Sequence, residues 1–226
     1  KKVISFTGSE DNIFEFLQGQ VTADLKDLES SKYIQSCLCD EKGFIKAEFL
    51  LSNENGLEIF VDESSFNVLF EELNKFIKFY RLEMKISSRE IFYKFFQNND
   101  NLEYVFSNNK LFCDIGLRAS KDEKLLTEEE FKLNILLLGQ FLFSHQDVNK
   151  YRPHDIGMNI THVSFLKGCF RGQEVIARTE HLSKKKKVIT PIKYEDEVSI
   201  NSKKIKTLKE ISFEKSIFKL ISFIPN

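Results

Sequence analysis

The chain has 226 residues, 42% of them hydrophobic and 30% charged, and a formal net charge of -1 at pH 7. That length can bury a substantial core in one large domain or in two to three subdomains, and the composition is that of an ordinary globular protein. The near-neutral balance argues against a globally basic nucleic-acid binder, and no apolar stretch approaches the length of a membrane helix.

Residues 3–6 read as a strand, and Gly8-Ser9-Glu10-Asp11 as a turn into a helix whose Ile13, Phe14, Phe16 and Leu17 share one face. Tyr33–Cys39 and residues 44–51 follow as strands around the turn Asp40-Glu41-Lys42-Gly43, and Asn53-Glu54-Asn55-Gly56 leads into a strand over 57–61. Ser64-Ser65 can cap a helix with Phe66, Leu69, Phe70, Leu73, Phe76 and Ile77 at spacings of three and four. Local strand pairing of this kind indicates an α+β unit rather than alternating βαβ crossovers.

A second α+β unit is expected next. Residues 90–96, 103–106 and 111–115 read as strands, with Asn98-Asn99-Asp100-Asn101 and Asn108-Asn109 as turns. Thr127-Glu128-Glu129-Glu130 fits a capping box before an apolar run that Gly139 ends. Residues 144–164 form a long irregular segment, a common setting for function. The spacing then predicts a helix over 173–182, and the tail beyond 188 alternates enough for three or four short strands. The expected organisation is an N-terminal α+β subdomain over 1–88, a second α+β subdomain over 89–183, and a reduced C-terminal β segment over 184–226.

Chemistry concentrates at Lys167-Gly168-Cys169-Phe170-Arg171-Gly172-Gln173-Glu174. A single thiol stands between two glycines, flanked by two cations and followed by a helix start, all of which favour a reactive thiolate. Such a sulfur can attack a one-carbon unit or a disulfide, hold a persulfide, or ligate iron; the alternative is a small buried side chain in a tight turn. Glu174 and Arg178 share a helix face, either as a simple intrahelical pair or, with Gln173, as hydrogen-bonding groups for a heterocycle such as pterin. Cys37 and Cys39 alternate onto one strand face and suit core packing. His145, His154, His162 and His181 lack the spacing of a zinc site, so no metal is expected. Without a secretory signal, the four cysteines read as reduced thiols and the chain as cytoplasmic.

From 165 to 209 twelve Lys/Arg face five Asp/Glu, but only Phe165, Phe170 and Tyr194 interleave them, so RNA binding ranks low. Lys184 to Lys187 are expected to complement the end of the preceding helix and stay solvated.

Residues 167–174 resemble the signature of the YgfZ family, folate-binding relatives of the glycine cleavage T protein, an aminomethyltransferase. Phe16-Leu17-Gln18-Gly19-Gln20-Val21-Thr22-Ala23-Asp24, the turn from Asp40 to Ile45, Phe79-Tyr80-Arg81-Leu82 and the stretch from Pro153 to Asn159 are similar to further blocks of that family. The chain is shorter than the bacterial members, and Glu180-His181-Leu182-Ser183 stands where they carry a second glycine and arginine. The resemblance implies T-protein-like α+β subdomains around a central cavity, then a short C-terminal β-barrel-like segment. It implies tetrahydrofolate or a derivative as ligand, with Lys167, Phe170, Gln173, Glu174 and Arg178 as binding residues and Cys169 as the key thiol. The implied role is accessory: supporting assembly or repair of iron–sulfur proteins, including the radical enzymes that thiolate tRNA, without direct nucleic-acid contact. A folate-dependent aminomethyltransferase is the alternative.

Overall fold

The structure is a computed structural model that describes residues 1–96, 106–107, 112–116, 126–182, 187–194 and 205–224. These residues form two compact units: Lys1–Ile91 with Phe143–Pro153 and Asn159–Leu182, and Phe92–Leu142 with His154–Met158 and Ser183–Asn226.

The first unit is built on an antiparallel sheet of five strands: β1 (Lys2–Thr7), β2 (Tyr33–Cys39), β3 (Ile45–Ser52), β4 (Glu58–Val61) and β5 (Glu83–Ser88). Their spatial order is β2-β3-β4-β1-β5. Two helices, α1 (Glu10–Gln20) and α2 (Glu63–Asn74), supply the other half of its core. Ile4, Leu38, Leu51 and Ile59 from the sheet meet Phe16, Leu17, Leu69 and Leu73 from the helices, all fully buried. Each such side chain stabilises the fold by roughly 1.5–3 kcal/mol relative to exposure.

Ser9 caps α1 as its position in the turn implies, its hydroxyl accepting from the Asn12 N–H at 3.3 Å. The α2 start differs from expectation: Asp62, not Ser64-Ser65, is the capping residue, and its carboxylate binds Lys1 Nζ at 2.5 Å rather than the helix. Phe76 and Ile77 lie past the end of α2, and Ile77–Tyr80 forms a 3-10 turn closed by Arg81 in the left-handed region. Tyr80 packs on Phe16 at 5.3 Å between ring centres, and Leu82 is buried, so Phe79-Tyr80-Arg81-Leu82 closes the core over α1. Strand β5 was not anticipated. It is an edge strand with five of its six residues exposed, so the burial that marks a strand in sequence is missing and pairing with β1 defines it.

In the second unit β6 (Phe92–Phe96), β7 (Phe106–Ser107) and β8 (Phe112–Gly116) form a three-stranded sheet ordered β6-β8-β7. Residues 103–105 and 111, and the two asparagine-rich turns, lie outside the described residues. Helix α3 (Glu128–Leu137) starts in the expected capping box, Thr127 Oγ1 accepting from the Glu130 N–H and Glu130 Oε2 from the Thr127 N–H. Gly139, at φ +77°, ends it. Phe131 of α3 packs edge-on against Tyr93 and Phe95. Helix α4 (Met158–Thr161) is a single turn, and α5, which belongs to the first unit, is Gln173–Leu182, the span expected from its spacing. The tail supplies β9 (Val188–Lys193), β10 (Lys206–Phe213) and β11 (Ser216–Phe223), ordered β10-β11-β9. Among the described residues this three-stranded sheet is consistent with the short barrel-like segment expected.

The units do not follow the expected boundaries. Residues 159–182, expected in the second subdomain, pack with the first unit. The reason is chemical, because the side chains of the signature are anchored on α1, α2 and the β2–β3 turn.

Candidate functional site

The site begins at the C-terminus of α1. A helix leaves its last four carbonyls without intrahelical donors and concentrates partial negative charge there. The last turn of α1 holds no basic residue. The Leu17 carbonyl accepts from the Val21 N–H at 2.9 Å, and the next two are met by the distant signature. Lys167 Nζ donates to the Gln18 carbonyl at 2.7 Å, and the Arg171 N–H donates to the Gly19 carbonyl at 3.1 Å.

Lys167 goes further. Its ammonium also donates to the Val21 and Ala23 carbonyls, each at 2.8 Å, so all three protons are engaged. The residue is 7% exposed and its ammonium lies 5.3 Å from the centre of the buried Phe170 ring. Burial pulls its pKa down to about 8, against the opposing pull of the Asp24 carboxylate.

The receiving segment is rigid for its own reasons. Gln18 Nε2 donates to Asp24 Oδ1 at 2.8 Å, and Gln18 Oε1 accepts from the Leu25 N–H at 3.0 Å. Thr22, fully buried, donates its hydroxyl proton to the His162 carbonyl at 2.6 Å and accepts from the Cys37 N–H at 2.9 Å. Ser36 Oγ accepts from the Ala23 N–H at 3.0 Å, and the Thr22 carbonyl from the Ser164 N–H at 3.0 Å. The block from Phe16 to Asp24 is thus a cradle whose contents are the signature.

Arg171 completes the attachment. Its Nε donates to Glu41 Oε1 at 2.8 Å in the β2–β3 turn, its Nη1 to Glu72 Oε2 at 2.7 Å on α2, and its guanidinium lies over Phe76. Gly172 has φ +83° and abuts the Asp40 backbone so closely that no side chain fits. Asp40 in turn accepts from the Lys42 and Phe44 N–H groups at 3.0 and 2.9 Å, and Ile176 of α5 is buried beside Gly43.

Cys169 is what this framework displays: it is exposed, two residues from each anchored cation. The two cations expected to bias the thiol have their charges engaged elsewhere, Lys167 on carbonyls and Arg171 on carboxylates. Gly168 has open space where a Cβ would stand, and Leu166 is 98% exposed. On the first turn of α5, Gln173 Nε2 reaches the Gly168 carbonyl at 3.4 Å. Glu174 pairs with Arg178 at 3.0 Å on the exposed face of α5, the intrahelical arrangement. Cys37 and Cys39 are the opposite of Cys169. Both are fully buried, and burial pushes both thiols well up from their ordinary range.

Glu41, Glu72, Gln18, Thr22, Ser36 and His162 escaped the sequence reading as site residues. Gln18, Thr22 and Glu41 stand inside the blocks that carried the resemblance. Glu72 had a subtler signal, a carboxylate adjoining the apolar stripe of Leu69 and Leu73. His162 is 1% exposed, with Thr161 Oγ1 at 2.7 Å from Nδ1, and with Gln35 Nε2 at 3.3 Å and Glu48 Oε1 at 3.5 Å from Nε2. Among the described residues no cluster of three or more His, Cys, Asp or Glu is placed to hold a metal.

Comparison with known proteins bears on this arrangement. A tRNA-modifying protein YgfZ from Colwellia psychrerythraea is 26% identical over 219 residues, covering 82% of this chain and 67% of that protein. The protein of the same name from Vibrio vulnificus is 24% identical over 212 residues, covering 79% and 63%; that from Aliivibrio fischeri is 25% identical over 197 residues, covering 74% and 61%. The chain is similar in sequence to these YgfZ proteins. It spans about two thirds or less of the length of these YgfZ relatives. No family model matches it. Among solved structures, the glycine cleavage system aminomethyltransferase T from Bartonella henselae superposes with a TM-score of 0.60 at 11% identity, covering 99% of this chain and 76% of that one. The T-protein-like fold expected from the YgfZ resemblance is the fold observed.

Proposed function

We propose that this chain is a folate-binding accessory protein that supports the assembly or repair of iron–sulfur proteins, with Cys169 as its working thiol. The observation that carries this reading is the contrast within one loop. Lys167, Phe170, Arg171 and Gly172 are locked into the first unit, and Cys169 between them is left exposed. An exposed thiol on a fixed loop supplies a nucleophile and a soft ligand for iron or sulfur exchange with a partner.

The residues fit a folate in part. Glu174 offers an exposed carboxylate on the first turn of α5, next to the Gln173 amide; together they complement the amino and amide edges of a pterin. Arg178, four residues on, orients that carboxylate. Lys167 has every donor engaged and Phe170 is buried, so these two serve the loop rather than a ligand. Tetrahydrofolate, when bound, would supply a one-carbon carrier. The clients in this reading are cytoplasmic iron–sulfur enzymes such as the radical enzymes that thiolate tRNA, which links the chain to tRNA modification without direct contact with RNA.

The test pairs two measurements. Titration calorimetry with tetrahydrofolate is expected to give saturable heat in the native chain and in Cys169→Ala alike. Activity of a radical tRNA-thiolating enzyme in cells is expected to fall when Cys169→Ala replaces the native chain. Absence of folate heat defeats the ligand assignment. Unchanged client activity defeats the thiol assignment, and glycine cleavage that needs a lipoylated carrier but ignores Cys169 would favour a transferase instead.

A further inference from the structure

We propose that Lys167 is a positioning residue: its ammonium, seated on the Gln18, Val21 and Ala23 carbonyls, holds the loop in the posture that presents Cys169. The functional half of this inference rests on the reading of Cys169 as the working thiol; the structural half does not.

Three features of the seat argue for it. Its geometry matches an ammonium, since three converging acceptors at 2.7, 2.8 and 2.8 Å take the three protons of one nitrogen. Its electrostatics match a cation, because one of the acceptors belongs to the final turn of α1, where no other basic side chain stands, and Asp24 lies close enough to bias the same charge. Its closure is complete: the side chain is buried, with the Phe170 ring on one side, so the amine has no proton left for a ligand. The seat and the thiol are two residues apart, so on its N-terminal side Cys169 is separated from a fixed point by Gly168 alone.

The lysine therefore acts as a C-terminal cap for α1 supplied from 149 residues away. Arginine cannot replace it. A planar guanidinium fork spreads its protons in one plane and cannot direct three of them at three carbonyls around a single nitrogen.

The experiment uses the full chain with Lys167→Ala, Lys167→Met and Lys167→Arg, and reads amide exchange at Arg171, whose N–H is bonded to Gly19. All three are expected to exchange at least about tenfold faster there, with little change at β1 and β4, because losing a cap opens the local structure first. Propylammonium is expected to restore slow exchange in Lys167→Ala, whereas tetramethylammonium, which has the charge without N–H donors, is not. Lys167→Met keeps the apolar stem, so it carries the test if Lys167→Ala fails to fold. Native-like exchange at Arg171 in Lys167→Met, or equal rescue by both ions, overturns the proposal. In cells, client activity with Lys167→Met should fall as far as with Cys169→Ala. Loss with Cys169→Ala but none with Lys167→Met sinks the positioning role alone, and no loss with either sinks the thiol reading while leaving the exchange result to judge the seat.

Discussion

Gly172 and Asp40 touch backbone to backbone: a Cβ on the glycine would run into the Asp40 carbonyl oxygen, and the glycine's own φ of +83° is one that other residues rarely take. Gly172→Ala should cost about 2–4 kcal/mol, combining left-handed strain with a clash against rigid backbone. Gly168→Ala meets open space without positive φ and should stay within about 0.5 kcal/mol of the native chain. Urea midpoints for the pair, at unchanged slope, give the answer; equal midpoints would refute the packing described here.

Arg171 and Glu72 leave only 12% and 11% of their side chains exposed, so each shields the other's charge. Removing one partner leaves the other with a second ion pair, Glu72 with Lys75 or Arg171 with Glu41, so the loss should fall below the roughly 3–5 kcal/mol of a fully buried pair. A double-mutant cycle of Arg171→Ala and Glu72→Ala should show coupling of about 1–3 kcal/mol. Additive losses would mean the two groups act independently.

Acid should loosen the signature loop. Burial pushes the Glu72 carboxyl up, but Lys75 and Arg171 outweigh it and leave the group below its ordinary value. Glu41 is held low by its own backbone N–H and by Arg171, and Asp24 by Gln18, the Lys26 N–H and Lys167 against a raising push from burial. Folded values below unfolded ones mean the native state binds fewer protons, so this stability is complete above about pH 5 and is lost as pH falls through the folded values. The urea midpoint should drop between about pH 5 and 3, and Glu72→Gln should flatten that drop. Parallel profiles for the two proteins would contradict the assignment.

Thiol chemistry should separate the cysteines. With iodoacetamide on the native chain, mapped by peptide mass spectrometry, Cys169 should be alkylated while Cys37 and Cys39 wait for unfolding. Cys169→Ala should change stability by less than about 0.5 kcal/mol, since its side chain is exposed. Early labelling of Cys37 would place β2 at a looser site than its burial implies.

Much of the fold was legible in the chain because its signals are local. The Thr127 capping box, the stop at Gly139 and the span of α5 each depend on a few neighbouring residues, and each stands as read. Two of the misses share one cause. Strand β5 is defined by its pairing with β1, and α2 is capped at Asp62 rather than at the serines; both depend on what lies alongside rather than on the segment itself. The site shows the same divide. The signature marked where Cys169 would be, but the local pattern could not reveal that Lys167 turns inward to α1 or that Arg171 reaches Glu72 on α2. Side-chain direction across 149 or 99 positions is set by tertiary packing, so the flanking cations looked like servants of the thiol when they are anchors of its loop.

The long reach of those anchors has a bearing on biosynthesis. Residues 92–142 are made in the interval between the main part of the first unit and the pieces that complete it. During translation, the Gln18 and Gly19 carbonyls of α1 therefore lack their native donors until Lys167 and Arg171 have cleared the ribosome. A nascent chain halted before residue 167 lacks both of the distant donors for that helix end.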